Sequence, residues 1–212
     1  MIEILYEDDD IVVVVKPAGM IVHPAPGRSE KSLTEELVKR YPDMKGVGSE
    51  ERPGVVHRLD IETSGVMVFA RNRPAYLSLR RMFESHVQIC KTYLAVVHGA
   101  PKERTGTLDG PVGRQRLRAI THWEVLARKG PVSLVEFRID TGRMHQIRIH
   151  AAELGCPVVG DRTYGDSVRD RALRIRPRRQ LLHAVRLEFP HPVTGKRMDF
   201  AAEPPADMVY SC

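Results

Sequence analysis

The chain has 212 residues, of which 42% are hydrophobic and 28% are charged, and its formal net charge is +6. This length and composition suffice for a globular core, and the longest apolar run, residues 11–15, is far too short to span a membrane. The acidic N-terminal segment is unlike a secretory signal, and the three separated cysteines lack metal-ligand spacing. We therefore expect a cytoplasmic protein with neither a disulfide framework nor a metal site.

The first half of the chain alternates short strands with amphipathic helices. Strands are predicted at 2–5 and 11–15, and a helix at 32–41, where Ser32 can cap the first turn. Residues 42–53 carry several Gly and Pro residues and read as a loop, followed by short β segments at 55–59 and 65–70. Pro74 begins a second predicted helix that runs to Glu84.

The second half is predicted to contain more strands than helices. Strands are expected at 92–98, 119–127, 132–139, 181–189 and 198–201. Alternation of Val135, Phe137 and Ile139 with polar neighbours is typical of a half-buried antiparallel strand. Met144 and Ile147 begin a helical spacing that ends near Gly155. The overall prediction is an α+β protein with a mixed, largely antiparallel central sheet flanked by helices.

The positive charge is concentrated in two segments. Residues 102–130 hold seven Lys or Arg against three acids, and residues 162–179 hold seven Arg against two acids. Such clustering is typical of a surface that binds a polyanion, although solvated basic loops without a partner have the same composition. Arginine in particular favours phosphate because its planar fork donates two hydrogen bonds at once.

Polar residues crowd against predicted strand ends at several places. Asp60 follows a short β segment and precedes a turn of small residues, which is also the usual place of a capping acid. Arg148 lies at the edge of the buried face of a predicted helix and requires an acid to compensate its desolvation. Asp60 is a candidate partner, and on these residues alone the pair can be either structural or catalytic.

Several motifs in this order resemble those of the RluA-type pseudouridine synthases. They span residues 16–184, which is most of the chain, and six of them occur in register. The segments that carry the resemblance are Lys16-Pro17-Ala18-Gly19, His57-Arg58-Leu59-Asp60 with Thr63-Ser64-Gly65, Lys91-Thr92-Tyr93, Gly142-Arg143-x-His145-Gln146-Ile147-Arg148-x-His150, Gly160-Asp161-x-x-Tyr164-Gly165 and Leu182-His183-Ala184.

The resemblance implies a pseudouridine synthase catalytic domain and a role for individual residues. By motif position, Asp60 is the nucleophile, Tyr93 the ring that stacks on the target base, and Arg148 the partner of Asp60. Further residues are assigned to substrate binding: Arg58 near the displaced nucleotide, Leu182 as an apolar contact, and Lys16, His57, Arg143 and His145.

The resemblance also implies an RNA substrate, ribosomal or transfer RNA, and a reaction without a cofactor or metal. We expect one domain over residues 1–212, no separate N-terminal RNA-binding domain, no membrane association and a monomer. Met144 departs from the family pattern, since it stands where threonine is usual.

Two other functions are compatible with parts of the same sequence. A noncatalytic RNA-binding module on the same fold would keep the basic segments but would not need Asp60. A carboxylate hydrolase acting on nucleotides or glycosides would need a second acid, for which Glu62 is the candidate. Release of tritium from uracil-5-labelled RNA separates isomerisation from both.

Overall fold

The computed structural model of the protein describes residues 2–24, 27, 30–173 and 177–208. It divides into two compact units, which we call unit 1 (Met1–Ile89 with Arg186–Ala202) and unit 2 (Cys90–Val185 with Glu203–Cys212). Two arginines of the second basic segment, Arg174 and Arg176, lie outside the described residues. The assignment of one catalytic domain to residues 1–212 stays a prediction.

The described part of the chain contains nine β-strands and four α-helices. In chain order they are β1 (Glu3–Glu7), β2 (Ile11–Lys16), α1 (Leu33–Arg40), β3 (Ser64–Ala70), α2 (Arg73–Ser85), β4 (Cys90–His98), β5 (Thr105–Val112), β6 (Leu117–Lys129), β7 (Val132–Ile139), α3 (Gln146–Glu153), α4 (Ser167–Ala172), β8 (Leu182–Pro190) and β9 (Arg197–Ala201). Short 3-10 turns occur at Pro42–Met44 and Ala206–Met208.

Unit 1 is built on the antiparallel strands β1, β2 and β3, with the second half of β8 and β9 completing its sheet. Strand β2 lies between β1 and β3, and its β-branched run is buried on both faces. Helix α2 begins after Asn72, whose side chain accepts the N–H of Ala75. It buries Leu79 and Phe83 against the same core as Phe189.

Unit 2 is built on strands β4, β7, β6 and β5, which neighbour one another in that order and pair antiparallel. The predicted alternation in β7 is confirmed, because Val135, Phe137 and Ile139 are all buried. Helix α3 packs Ile147 and Ala151 onto the same core. The first half of β8 also belongs to this unit.

Two local predictions are wrong, and two elements of the structure were not predicted. Residues 55–59 do not form a strand, since only Val55 makes an isolated bridge, to Phe69. The two elements without a counterpart in the sequence prediction are strand β5 and helix α4. Met144 is 69% exposed and precedes α3, so it does not belong to the buried face of that helix.

The predicted fold class is confirmed, because antiparallel strands flanked by helices make up both units. The predicted cap of α1 is also present: Ser32 and Glu35 each bond the other's backbone N–H. Among the described residues, none of the helices combines the length and apolarity needed to cross a membrane.

Candidate active site

Asp60 stands in an irregular segment that ends in a turn directly before β3. Its carbonyl accepts the N–H of Thr63 at 3.1 Å, which closes the turn. The residue is half-buried, whereas Thr63 and Ser64 beyond it are buried. Unit 1 thus places the Asp60 carboxylate just before the central strand β3. The turn that Thr63 closes fixes the backbone on the C-terminal side of Asp60.

Lys16 fixes the backbone next to Asp60. Its side chain is 0% exposed at the end of β2, and its Nζ donates to the carbonyl oxygens of Pro17, Met20 and Ile61 at 2.8–2.9 Å. The buried ammonium therefore joins the loop after β2 to the residue that follows Asp60. This position favours a structural role for Lys16, in which it holds the loop. It favours this role more than the direct substrate contact that is predicted from the sequence.

His57 and Arg58 differ in exposure. The Nε2 atom of His57 accepts the N–H of Val68 at 3.1 Å, and its ring stacks on Phe83 with 4.4 Å between ring centroids. This bond requires an unprotonated Nε2 and attaches the segment before Asp60 to β3. Arg58 is exposed. His57 is half-buried, and substrate binding by either residue stays a prediction.

Arg148 of unit 2 forms a buried, bidentate ion pair with Asp161. Its Nε and Nη2 donate to the two carboxylate oxygens at 2.6 and 2.8 Å, and the two side chains are 8% and 0% exposed. The backbone N–H groups of Thr163 and Tyr164 also donate to Asp161. The acid that a half-buried arginine requires is therefore present within unit 2, and it is Asp161, a role that the local sequence does not indicate.

Burial by itself raises the pKa of Asp161, but hydrogen bonds from Arg148, Tyr164 and Thr163 outweigh burial and hold that pKa below its usual range.

The turn after Asp161 is tight. The N–H of Gly165 donates to the Asp161 carbonyl at 2.9 Å, and a Cβ at Gly165 would lie 2.1 Å from that same oxygen. The glycine of this motif is therefore required by a close backbone approach.

Tyr164 connects Arg148 to His145. The guanidinium of Arg148 lies over the Tyr164 ring at 5.2 Å from its centroid, and the Tyr164 hydroxyl is 3.1 Å from Nδ1 of His145. His145 has a left-handed backbone with φ of 58° immediately before α3. The predicted site residues Arg148 and His145 are thus brought together by Tyr164, which is not among the predicted site residues.

Gln146 organises the loop that carries Arg143. Its carboxamide oxygen accepts from the Thr141 hydroxyl and from the N–H of Arg143, and its nitrogen donates to Ile120 and Thr121 at 2.9 Å. Arg143 itself is half-buried and donates to the carbonyl of Arg118. The loop before α3 is therefore attached to β6 by a buried, fully used amide.

Tyr93 and Leu182 belong to one apolar cluster of unit 2. Leu182 is 4% exposed within this core, which also contains Ile147, and the partly buried Tyr93 packs against the core. Tyr93 stands opposite Phe137 in the β4–β7 register. The ring is held by strand and core, while part of it stays accessible; the predicted contacts of both residues with a base stay predictions.

Lys91 is a buried cation at the start of β4. Its Nζ donates to the carbonyl of Thr141 at 3.2 Å. Burial lowers the pKa of Lys91 to about 8, with Asp140 opposing the shift and Arg143 adding to it. Lys91 belongs to one of the sequence motifs, and the structure connects it to the loop that carries Arg143.

Among the described residues, one group has a spacing that could hold a metal: Asp8, Asp10 and His191 of unit 1. Nε2 of His191 lies 2.9 Å from Asp8, and Nδ1 accepts the N–H of Thr194 at 3.1 Å. Asn72 donates to Asp10 at 2.7 Å. These ligand atoms already serve a hydrogen-bond network that ties the β1–β2 turn to the segment after β8, which favours a structural role.

Each unit holds part of the predicted set. Unit 1 contains Asp60, Lys16, His57 and Arg58, and unit 2 contains Tyr93, Arg143, His145, Arg148 and Leu182. Within unit 2, Arg148 and His145 are joined through Tyr164. The pairing of Asp60 with Arg148 stays a prediction.

Comparison with known proteins gives consistent matches. A family model described as RNA pseudouridylate synthase matches residues 10–153. A protein of Zymomonas mobilis named ribosomal large subunit pseudouridine synthase D is 39% identical over 98% of this chain and 70% of its own length. The protein of the same name in Pseudomonas aeruginosa is 36% identical over 99% of this chain and 70% of its own.

Solved structures agree with the sequence matches. Human RNA pseudouridylate synthase domain containing 4 superposes with a TM-score of 0.80 at 26% identity, over 98% of this chain and 90% of that one. Human RNA pseudouridylate synthase domain containing 1 gives 0.76 at 28% identity, over 97% and 84%. The chain spans about two thirds of the length of the curated relatives it matches.

We predict that Asp161→Asn lowers the free energy of unfolding by about 3 kcal/mol, because it leaves the buried Arg148 guanidinium opposite a neutral side chain. Urea unfolding monitored by circular dichroism measures the change. The matched control is Asp109→Asn, which breaks the bidentate but exposed pair with Arg118 and is expected to change stability much less. Equal losses for the two variants would contradict the structural role given to Asp161.

We predict that the contribution of Lys91 to the free energy of unfolding becomes more favourable as the pH rises. Its folded pKa of about 8 lies below the unfolded value of about 10.4, so the burial penalty is fully present below pH 8 and is relieved between about pH 8 and 10. The free energy of unfolding of the wild type, measured against Lys91→Met, should therefore rise by about 2 kcal/mol from pH 7 to pH 9.5. A difference that is the same at both pH values would contradict the depressed pKa.

Proposed function

This chain belongs to the RluA-type RNA pseudouridine synthase family, and from that premise we propose that it isomerises a specific uridine in a structured RNA to pseudouridine. The observation that carries the proposal for this chain is the setting of Asp60. The matched region includes it, and the backbone beside it is held by the Thr63 turn and by the buried ammonium of Lys16. A carboxylate on so fixed a backbone is suited to a reaction that depends on positioning.

The reaction breaks the bond between N1 of uracil and C1′ of ribose, and it forms a bond between C5 and C1′. The proton on C5 is released to water and N1 takes up a proton, so the composition of the nucleotide is unchanged. A base must leave its stack, at a cost of a few kcal/mol that is least in a loop. We assign Tyr93 to stacking on the displaced base, which returns roughly 1–3 kcal/mol. This scheme requires neither a redox cofactor nor a metal.

Asp60 acts in this scheme as the nucleophile, in its ionised form. It attacks C1′ as uracil leaves, and the resulting ester bond breaks when C5 of the turned base bonds to C1′. Alternatively, it assists departure of the base by removing a sugar proton that is returned after C5 has bonded to C1′; attack on the base itself is the third and less favoured route. Arg148 is proposed as the cation that pairs with the Asp60 carboxylate. The rigid hold of Asp161 on Arg148 supports this assignment, because a guanidinium fixed at 2.6 and 2.8 Å loses little freedom when it acts.

The basic segments are proposed to bind the RNA backbone. The hairpin between β5 and β6 exposes Arg114 and Arg116 in a four-residue connection, and α4 exposes Arg169 and Arg171. Phosphate contacts of this kind give affinity and orientation without reading sequence. Relatives in two bacteria are named for the large ribosomal subunit, so large-subunit ribosomal RNA is the first substrate to test and transfer RNA the second.

We predict that Asp60→Asn lowers tritium release from uracil-5-labelled large-subunit ribosomal RNA by at least about 1,000-fold, because it removes the nucleophile. Affinity for the RNA, measured by filter binding, should stay within a few-fold of wild type, since the arginine-rich surfaces are unchanged.

The matched control is Glu62→Gln, two residues along the chain, which should keep most of the activity. If the wild type releases free uracil and each of the two substitutions abolishes that release, the protein is a hydrolase with two acids. A wild-type chain that binds RNA but releases no tritium from ribosomal or transfer RNA would be a binding module. Pseudouridine formation by Asp60→Asn at the wild-type rate would remove Asp60 from the mechanism.

A further inference from the structure

Unit 1 contains a cavity beside the segment that leads to Asp60. Its volume is about 560 Å³, and it lies between the loop of residues 48–58 and helix α2. This volume is in the range of small-molecule and nucleotide sites. Asp60 is not among the residues that line it, whereas Arg58 and His57 are. The cavity is therefore separate from the proposed nucleophile but borders the same motif.

Aromatic rings form one side of the cavity and are held in place. Tyr76 and Phe83 face it from α2. Phe83 stacks on His57 with an angle of 6° between the rings, and His57 is in turn fixed by the N–H of Val68. A Cβ at Gly48 would lie 2.4 Å from the Tyr76 ring, so the loop approaches this ring as closely as only glycine permits.

The cavity is also lined by arginines, not all of which are paired with an acid in the described part of unit 1. Three arginines line it, and Arg80 among them is paired with Glu84 at 2.6 Å. Arg52 and Arg58 have no acid partner within salt-bridge distance in the described part of the chain, and Glu51 is the one other acid that lines the cavity. Two arginines beside aromatic rings are the chemistry that binds a phosphate together with a base.

We propose that this cavity binds a nucleotide of the substrate RNA that flanks the target uridine, with its phosphate between Arg52 and Arg58 and its base against the aromatic side. The inference rests on the proposed function, since it takes the ligand to be part of the RNA. The position of Arg58 supports this, because it stands two residues before the proposed nucleophile. A polymeric substrate necessarily presents a neighbouring nucleotide close to the nucleotide that reacts.

Arg52→Gln tests the proposal, because Arg52 is exposed and belongs to none of the motifs that carry the family resemblance. Tritium release from uracil-5-labelled ribosomal and transfer RNA transcripts should show a KM raised about fivefold, with kcat within about twofold of wild type. The slope of log Kd against log salt, from fluorescence anisotropy with the same transcripts, should become smaller by about one, the loss of one phosphate contact.

The matched control is Arg81→Gln, an exposed arginine of the same helix α2 that does not line the cavity. It should leave KM and the salt slope at their wild-type values. An Arg52→Gln protein that cannot be told from Arg81→Gln in both KM and salt slope overturns the proposal. A lowered kcat with unchanged KM also overturns it, because a flanking contact acts on binding.

The binding measurement separates this proposal from the proposed function. A wild-type protein without tritium release, in which Arg52→Gln still weakens RNA binding and Arg81→Gln does not, rejects the reaction and retains the RNA subsite. A wild-type protein with normal tritium release and no effect of Arg52→Gln retains the reaction and rejects the subsite.

Discussion

The buried pair of Arg148 and Asp161 is the interaction on which the candidate site in unit 2 depends. Removing a guanidinium and a carboxylate from water costs several kcal/mol for each ion, and the pair offsets this cost only when its geometry is good and its remaining hydrogen bonds are made. Both conditions hold, since the contact is bidentate and two backbone N–H groups complete the carboxylate. The 161–165 turn, Tyr164 and His145 all take their positions from it.

Unit 1 uses a buried cation in a similar way. Lys16 has three backbone carbonyl oxygens around its ammonium, and these dipoles help to offset the cost of burying its charge. In each unit, one basic residue of a motif (Lys16 or Arg148) fixes a loop. A neighbouring residue of the same motif or of the next one stays accessible. Rigid loops of this kind keep reacting groups in place without reorganisation during the reaction.

Local patterns in the sequence were enough to predict much of the fold. The cap at Ser32 and the alternation in β7 follow from side-chain chemistry and period alone, and both are present. Strand β5 was missed because glycine, proline and aspartate interrupt its apolar pattern, and its pairing with β6 supplies what propensity does not. The segment at 55–59 was wrongly assigned because the His57 side chain, rather than the backbone, accepts the N–H that β3 offers. Asp161 was missed because its partner is 13 residues away, and nothing in the local sequence tells which acid a buried arginine will meet.

The central claim is that the carboxylate of Asp60 converts a uridine of a cellular RNA to pseudouridine. It is tested most directly by mapping pseudouridine in total RNA from cells that lack this gene and from the same cells complemented with either wild type or Asp60→Asn. The account predicts that at least one pseudouridine disappears on deletion, returns with the wild-type gene and does not return with the variant. An unchanged map after deletion, or full restoration by the variant, would contradict it.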